Sequence, residues 1–415
     1  MIQLYLGIIV LLGSILGFYP RLAVITLVLC VVGLPPSNFA QIVGYSYVTW
    51  VDGVPPISPI NYILVPMIFV LIYRYVFERK LPVNLKVSQL SWLFFLFMYT
   101  TFLTNYFQNS ILTTFTEIFI SSTLLVFAFS LLSKFQNSCL DLMIYTLLFL
   151  GMLQALTGIG QYFLSKYFSH VLPHRSNGFM DHPILFGVFM AYLIPVAYFS
   201  IRGRYIRIFV LTIFLLAVSL SGSRIGFILA SVFLLLMQKY RRQLIRTLFI
   251  ILLLGFSYNF WRFNNPIFER IFDDSNSLGS RISVWTGVIP NLGRYFYSGI
   301  GPGQSRSISN ALGFGISMES FVLIWILEYG LMITAILLTG LVSSVRLRAK
   351  REFLDFRILN TFLILGCLFF SSIGVKSQTL WFVSLCIALQ VVCNQESMRA
   401  IGIDNPMYRF FPKKH

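Results

Sequence analysis

Two apolar blocks meet at a single arginine near the middle of the chain. They read IRIFVLTIFLLAVSLSG (206–222) and IGFILASVFLLLMQ (225–238), and only Ser223 and Arg224 lie between them. Long apolar blocks predict helices that cross the hydrocarbon layer of a membrane, which is roughly 30 Å thick. Because these two blocks have almost no loop between them, Arg224 must lie at the membrane edge or in a cavity, where a charge is costly and usually functional.

The composition of the whole chain agrees with a membrane location. Its 415 residues are 57% apolar and only 11% charged, whereas a soluble domain has roughly a quarter of its residues charged. This excludes a soluble enzyme, a disordered protein and a fibre. An outer-membrane β-barrel would show alternating polarity instead of long apolar blocks. The sequence therefore predicts an all-α polytopic integral membrane protein, with residues 1–415 forming a single transmembrane domain.

The apolar blocks predict about 12 or 13 transmembrane helices, and the count depends on the first two blocks, which are short. No basic region precedes the first block and no small-residue cleavage site follows it, so it is interpreted as a retained helix rather than a signal peptide. The blocks lie near residues 2–18, 22–34, 60–77, 88–105, 111–133, 140–163, 183–201, 206–222, 225–238, 247–260, 318–345, 358–373 and 378–394.

Basic connectors predict the orientation of these helices. The net charge is +17, and Lys and Arg accumulate in cytoplasmic connectors of membrane proteins. The charge is therefore interpreted as a topology signal and not as a nucleic-acid site, since the chain has no compact basic module with interleaved aromatics. Strict alternation then places a large external loop, 261–317, on the outer side. The basic connectors are 74–86, 202–207, 239–246, 346–357 and 395–415.

Nine of the 31 Lys and Arg residues fall on the predicted outer side, and seven of these nine are arginines. Guanidinium groups form forked contacts with phosphate oxygens and stay charged when partly dehydrated. An anionic phosphate ligand is thus favoured, although the last four of the arginines below are equally well read as solvated loop charges or partners of loop carboxylates. The seven are Arg175, Arg224, Arg281, Arg262, Arg270, Arg294 and Arg306.

Arg224 has two readings. The flanking Ser221, Gly222 and Ser223 would expose backbone N–H groups at a tight turn, which suits an anion-binding nest. In the alternative reading, the guanidinium simply extends to the phosphates of lipid headgroups.

Two further polar motifs are predicted to bind neither metal nor nucleotide. HRSNGFMDHP (174–183) contains His174, Asp181 and His182, but this spacing fits no usual zinc pattern, and a capping or turn role is favoured. GIGPG (299–303) lacks the Lys-Ser/Thr of a phosphate loop and predicts a tight external turn. The sequence therefore predicts no cofactor.

Glu319 stands where the external loop becomes a helix, in MESFVLIWILEYG. Its carboxylate either caps the first helical turn or acts as a general base, because a dehydrated carboxylate gains proton affinity. Glu328, nine residues on, is predicted to face the opposite side of the helix and to make a structural hydrogen bond. Gly330 is predicted to lie near the face of Glu319 and to let another helix approach closely.

The order of these motifs resembles a known family. RSNGFMDHP (175–183), SGSRIG (221–226), SRISVW (280–285) followed by GIGPG, and ES-x9-G (319–330) occur in that order. The arrangement is similar to the superfamily of O-antigen ligases and Wzy-type O-antigen polymerases, over about residues 170–335. The resemblance implies a GT-C-like membrane glycosyltransferase of the bacterial cytoplasmic membrane. Its active site would face the periplasm or the outside and act on undecaprenyl-diphosphate-linked oligosaccharides.

The resemblance also implies roles for individual residues. Arg224 and Arg281, and less directly Arg175, match family arginines that hold the diphosphate. Glu319 stands where ligases carry the catalytic His, which favours a polymerase but leaves a ligase open. A transporter of lipid-linked glycan or another anionic solute is a third alternative, disfavoured because the chain shows no internal repeat. The supporting residues are Ser223, Asp181, His182, Gly301, Gly303, Ser320 and Gly330. The implied partners are the lipid-linked glycan, the lipid bilayer and a chain-length regulator or flippase.

Overall fold

The computed structural model describes about two fifths of the chain. The described residues are 2–33, 61–74, 137–164, 176–180, 183–201, 203–237 and 321–345, with short pieces between 246 and 300.

Every regular element in the described ranges is helical. A π-helical turn, Leu29–Gly33, extends the second helix, and a short 3-10 turn lies at Ile289–Asn291. The α-helices are α1 (Ile2–Phe18), α2 (Pro20–Val28), α3 (Asn61–Tyr73), α4 (Asn137–Phe163), α5 (Pro183–Ser200), α6 (Arg204–Ser221), α7 (Arg224–Met237) and α8 (Phe321–Val345).

The helix limits follow the apolar blocks closely. The blocks at 183–201, 206–222 and 225–238 correspond to α5, α6 and α7 to within two residues at each end. Proline accounts for two of the starts, because its missing N–H and fixed φ suit the first position of α2 and of α5. The predicted spans at 88–105, 111–133, 358–373 and 378–394 lie outside the described residues, as does most of the external loop.

Three of the described helices are long and apolar enough to cross a membrane: Asp141–Phe163, Pro183–Ser200 and Arg204–Ser221. Three shorter apolar helices accompany them, Gly7–Phe18, Arg224–Leu236 and Leu323–Ala335. A helix of about 20 apolar residues satisfies all its backbone hydrogen bonds internally, as the bilayer interior requires. The described part of the chain thus has the helices of a membrane protein.

Helix α5 is the centre of the best-described group. It packs against α4, α6 and α7, and its side chains are buried from Leu185 to Tyr198. Phe186 and Phe189 of α5 are fully buried, with Phe214 of α6 and Phe233 of α7. Such close apolar packing on all sides explains why α5 carries no polar face.

Helices α4 to α7 alternate in direction. The close approaches of Gly158 to Phe186 and of Gly187 to Ser221 and Ser223 place the end of α4, the start of α5, the end of α6 and the start of α7 at one end of the group, which we call the junction end. The end of α5 and the start of α6 lie at the other end. Because α6 has 18 residues, Arg204 at its start and Arg224 after its end are about 27 Å apart.

Glycines bring α1 and α3 into close contact. A Cβ at Gly13 would collide with the carbonyl oxygen of Ile63, and one at Gly17 would lie 2.8 Å from that of Met67. Glycines four residues apart on one face let two helix backbones approach closely in a bilayer. This contact holds the amino-terminal helix against the rest of the described helices.

Candidate functional site

The turn between α6 and α7 is built from glycine and serine. Gly222 has a left-handed φ of 61° and ends α6, with its N–H donating to the Ser219 carbonyl at 3.3 Å. Glycine adopts this conformation without the cost that a Cβ would impose. The chain can therefore reverse direction within two residues.

Ser223 then starts α7 as its N-cap. Its hydroxyl accepts the N–H of Gly226 at 3.1 Å, which satisfies one of the donors left open at a helix start. The N–H of Ser223 itself donates to the Ser221 hydroxyl at 3.1 Å. Because the N–H groups of Gly222 and Ser223 both donate within the chain, the predicted anion nest at 221–223 needs correction: these two donors serve the turn.

Arg224 is the first residue of α7 and is half-buried. The amino-terminal end of α7 is the positive end of the helix dipole. The positive charge of Arg224 adds to it, so that an anion is favoured at this end. The neighbouring backbone is tightly fixed, since a Cβ at Gly226 would lie 2.7 Å from the carbonyl carbon of Gly187 on α5. Glycine at both positions thus holds the start of α7 directly against α5.

A short segment, 176–180, lies against this turn. The N–H of Ser176 donates to the Leu220 carbonyl at 3.3 Å, and the segment closes on itself through a bond from the Met180 N–H to the Asn177 carbonyl at 2.9 Å. Ser176 is fully buried. The motif RSNGFMDHP is therefore in contact with the end of α6, four residues before Arg224.

Gln161 of α4 fixes this segment by pairing with its backbone. The side-chain amide donates to the Gly178 carbonyl at 2.8 Å and accepts the Gly178 N–H at 2.9 Å. The Asn177 N–H reaches the same oxygen at 3.3 Å. One amide side chain thus satisfies backbone N–H and carbonyl groups of a segment that has no regular secondary structure.

Gly178 is sterically required at this position. Its φ is 57°, and a Cβ would lie 2.8 Å from the Phe186 ring and 3.0 Å from Oε1 of Gln154. Gln154 is also buried, and its amide donates to the Val32 carbonyl in the π-helical turn after α2. The segment, α2 and α4 are therefore linked through Gln154.

A second contact joins the external loop to α8. Gly330 has φ 81° and ψ 162°, which interrupts the helix and leaves preceding carbonyls without their usual helical donors. The N–H of Ile300 donates to the Leu327 carbonyl at 2.8 Å. Thr334 bonds the Gly330 carbonyl at 2.8 Å through its hydroxyl. The first residues of GIGPG are thus docked on the kink of α8.

The kink corrects the prediction for Gly330. Helical spacing placed it beside the face of Glu319 as a contact for another helix, but Gly330 is not helical, and it supplies a positive φ that few residues other than glycine adopt. A loop, through Gly299, approaches the backbone of Glu328 instead. Glu328 is buried, with 2% of its surface exposed.

Three of the predicted site residues lie within the described part of the chain: Arg224 and Ser223 at the junction end, and Gly330 at the α8 kink. The structure joins two pairs of predicted motifs, RSNGFMDHP with SGSRIG and GIGPG with the helix that follows Glu319. The remaining predicted residues lie outside the described residues: Arg175, Asp181, His182, Arg281, Gly301, Gly303, Glu319 and Ser320.

Sequence reasoning missed Gln154 and Gln161. They are seven residues apart on α4, which places both on one face, two turns apart. Two glutamines on one face of an otherwise apolar helix are a usable signal, because a buried amide in a membrane helix requires hydrogen-bond partners.

No protein-family model matches the chain, and no curated protein matches it. The class defined by its own residues is a helical membrane protein with a buried polar junction beside a half-buried arginine.

Proposed function

We propose that this protein is a membrane glycosyltransferase that polymerises undecaprenyl-diphosphate-linked glycan repeat units, as in O-antigen, capsule or exopolysaccharide synthesis. The proposal extends the family resemblance of the motifs with one structural observation. The segment after Arg175 is hydrogen-bonded to the end of α6, beside the turn that carries Arg224. Two motifs that are some 40 residues apart in the sequence therefore meet at one place.

Arg224 supports the binding of a diphosphate. A half-buried arginine at a helix start combines a forked donor with a favourable dipole. Fixed cations of this kind stabilise the negative charge that develops on a leaving diphosphate as the glycosidic bond breaks. In the proposal Arg281 and Arg175 complete the diphosphate site, and neither metal nor nucleotide takes part.

In the proposed reaction, the hydroxyl of the acceptor sugar attacks the anomeric carbon of the donor sugar. Glu319 takes the proton of that hydroxyl, a new glycosidic bond forms, and undecaprenyl diphosphate leaves with the electron pair of the broken bond. Glu319 lies two residues before the start of α8 in the sequence. The docking of the GIGPG loop on the α8 kink supports a role for that helix in holding loop and base together.

The proposed location is the outer face of the bacterial cytoplasmic membrane, with 12 or 13 helices in a GT-C-like arrangement. The basic residues Arg204 and Arg207 at the start of α6 and Arg224 after its end lie at opposite ends of that helix, which agrees with a cytoplasmic side and an outer side separated by about 27 Å. A chain-length regulator or flippase would be a natural partner for such an enzyme.

The test is chain extension by the purified full-length protein in proteoliposomes containing undecaprenyl-diphosphate-linked repeat units. We expect a ladder of longer lipid-linked glycans, each longer by one repeat. Transfer only to added lipid A core would make the protein a ligase. Movement of the glycan across the bilayer without any new glycosidic bond would make it a transporter and contradict the proposal.

A further inference from the structure

Three buried polar atoms at the junction end have no hydrogen-bond partner in the described part of the chain: Oε1 of Gln154, Oγ of Ser176 and Oδ1 of Asn177. Gln154 and Ser176 are 1% and 0% exposed. Native proteins satisfy the great majority of buried polar atoms, so several unsatisfied atoms in one small region indicate a ligand or ordered water.

These atoms are close to one another because of the segment 176–180. A Cβ at Gly178 would lie 3.0 Å from Oε1 of Gln154, and Ser176 and Asn177 directly precede that glycine. Gln161 holds the segment in this register through the Gly178 and Asn177 backbone. The backbone of this segment therefore lies against the face of α4 that carries Gln154 and Gln161.

The chemistry of the three atoms selects a hydrogen-bond donor. Amide oxygens only accept hydrogen bonds, and a serine hydroxyl can accept as well as donate. An anion would be repelled by two of the three atoms. Sugar hydroxyls and acetamido N–H groups are uncharged donors that match such a group of acceptors.

The position of these acceptors relative to Arg224 decides between free and lipid-linked sugars. Ser176 bonds the backbone at Leu220, four residues before Arg224 and just before the turn between α6 and α7. In a lipid-linked glycan the diphosphate is bonded directly to the anomeric carbon of the first sugar. Its anionic group and its first donor hydroxyls are therefore neighbours, and here the backbone of Ser176 is bonded to the end of α6, next to the turn that carries Arg224.

We propose that Gln154, Ser176 and Asn177 form a subsite for the sugar attached directly to the diphosphate, and that they accept its hydroxyl or acetamido N–H groups. The inference rests on the proposed function, because it takes the ligand of Arg224 to be that diphosphate. Although Asn177 as a residue is half-buried, all three accepting atoms are buried. Binding of the sugar therefore requires the segment to shift away from α4.

The test compares two ligands on the full-length protein in nanodiscs: undecaprenyl diphosphate carrying one repeat unit, and undecaprenyl diphosphate without sugar. Ser176→Ala keeps the backbone bond to Leu220 and removes only the hydroxyl. We expect Ser176→Ala and Asn177→Ala each to weaken binding of the sugar-bearing lipid about 3- to 10-fold, the usual range for one hydrogen bond, and to leave binding of the sugar-free lipid unchanged.

Ser231→Ala is the matched control, because Oγ of Ser231 on α7 is also a buried atom without a hydrogen-bond partner but lies two turns from the start of that helix. It should change neither affinity. If both test variants bind each lipid with the wild-type affinity, the subsite is overturned, and the three atoms bind only ordered water. An equal loss for both lipids would also overturn it. A wild-type protein that binds neither lipid would overturn the proposed function together with the subsite.

Discussion

At the scale of single residues, the junction end is determined by side chains whose replacement has distinct consequences. Gly222 supplies a left-handed turn, Ser223 caps α7, and Gln161 pairs with a loop backbone. Arg224 is the one charged side chain among them, and it follows directly on the cap. The rigid turn therefore fixes the main chain of Arg224. A fixed main chain favours the precise geometry that a bidentate contact between its guanidinium group and a diphosphate requires.

We expect Arg224→Lys to lose chain extension by about 10- to 100-fold, because a point charge cannot replace the forked contact with phosphate. The measurement is the initial rate of extension in proteoliposomes at equal protein. Arg204→Lys is the matched control, since Arg204 is likewise the first residue of an apolar helix but lies at the other end of α6. Full activity in Arg224→Lys would remove this arginine from the diphosphate site.

Glu319→Gln should lower the extension rate by about 10²–10⁴-fold, because the amide keeps the shape of the carboxylate but cannot take a proton. Binding of the lipid-linked donor should persist, which separates lost chemistry from lost folding. Glu319→His restores the base found in the ligases that the motif resembles and should recover part of the rate. If the Gln variant extends glycans normally, Glu319 is a helix cap and the base must be sought at Asp181 or His182.

At the scale of elements, the helix limits could be predicted and their interruptions could not. The apolar blocks are bounded by polar or charged residues, so α5, α6 and α7 begin and end where the composition changes. The block 318–345 is apolar throughout and gives no local sign of the kink at Gly330. That kink depends on a loop docking from elsewhere, and the pairing of Gln161 with Gly178 depends on a contact between separate segments. Periodicity within one segment contains no information about either contact.

Gly299→Ala should destabilise the docking of the external loop on α8. Gly299 has φ 64°, and a Cβ there would collide with the Glu328 carbonyl, so that the backbone of one of the two elements must move at a cost of about 1–3 kcal/mol. We expect a lower apparent melting temperature and faster proteolysis of the loop. Gly293→Ala is the control, because a Cβ at Gly293 meets nothing within 4 Å. Identical behaviour of the two variants would contradict the docking.

At the scale of the whole molecule, the distribution of charge should fix the orientation in the membrane. The chain has 31 Lys and Arg against 14 Asp and Glu, and basic connectors face the cytoplasm. The described helices α4 to α7 alternate in direction, as the topology prediction assumes. Which end of them faces outward is predicted from the basic connectors alone. Several predicted spans lie outside the described residues, so the count of 12 or 13 helices stays a prediction.

Cysteine labelling of intact cells checks the orientation. In a background without the five native cysteines, Ser277→Cys should react with a membrane-impermeant thiol reagent and Lys350→Cys should not. Both should react after the membrane is permeabilised, which controls for accessibility. The reverse labelling pattern would place the junction end in the cytoplasm and rule out an outer-face glycosyltransferase.

The location of Arg224 at one end of α6, and not halfway along it, determines how the protein should respond to a voltage. An anion bound at the end of a membrane-crossing helix traverses almost none of the electric field, whereas moving a charge fully across costs or gains roughly 2.3 kcal/mol per 100 mV. Glycan extension in proteoliposomes should therefore keep its rate to within about a factor of two when a potassium diffusion potential of about 100 mV is imposed in either direction. A carrier that moves a diphosphate with two negative charges across the whole membrane would change its transport by more than a hundredfold at the same potential. Independence of the diffusion potential is thus the electrical signature expected of a reaction confined to one face of the bilayer.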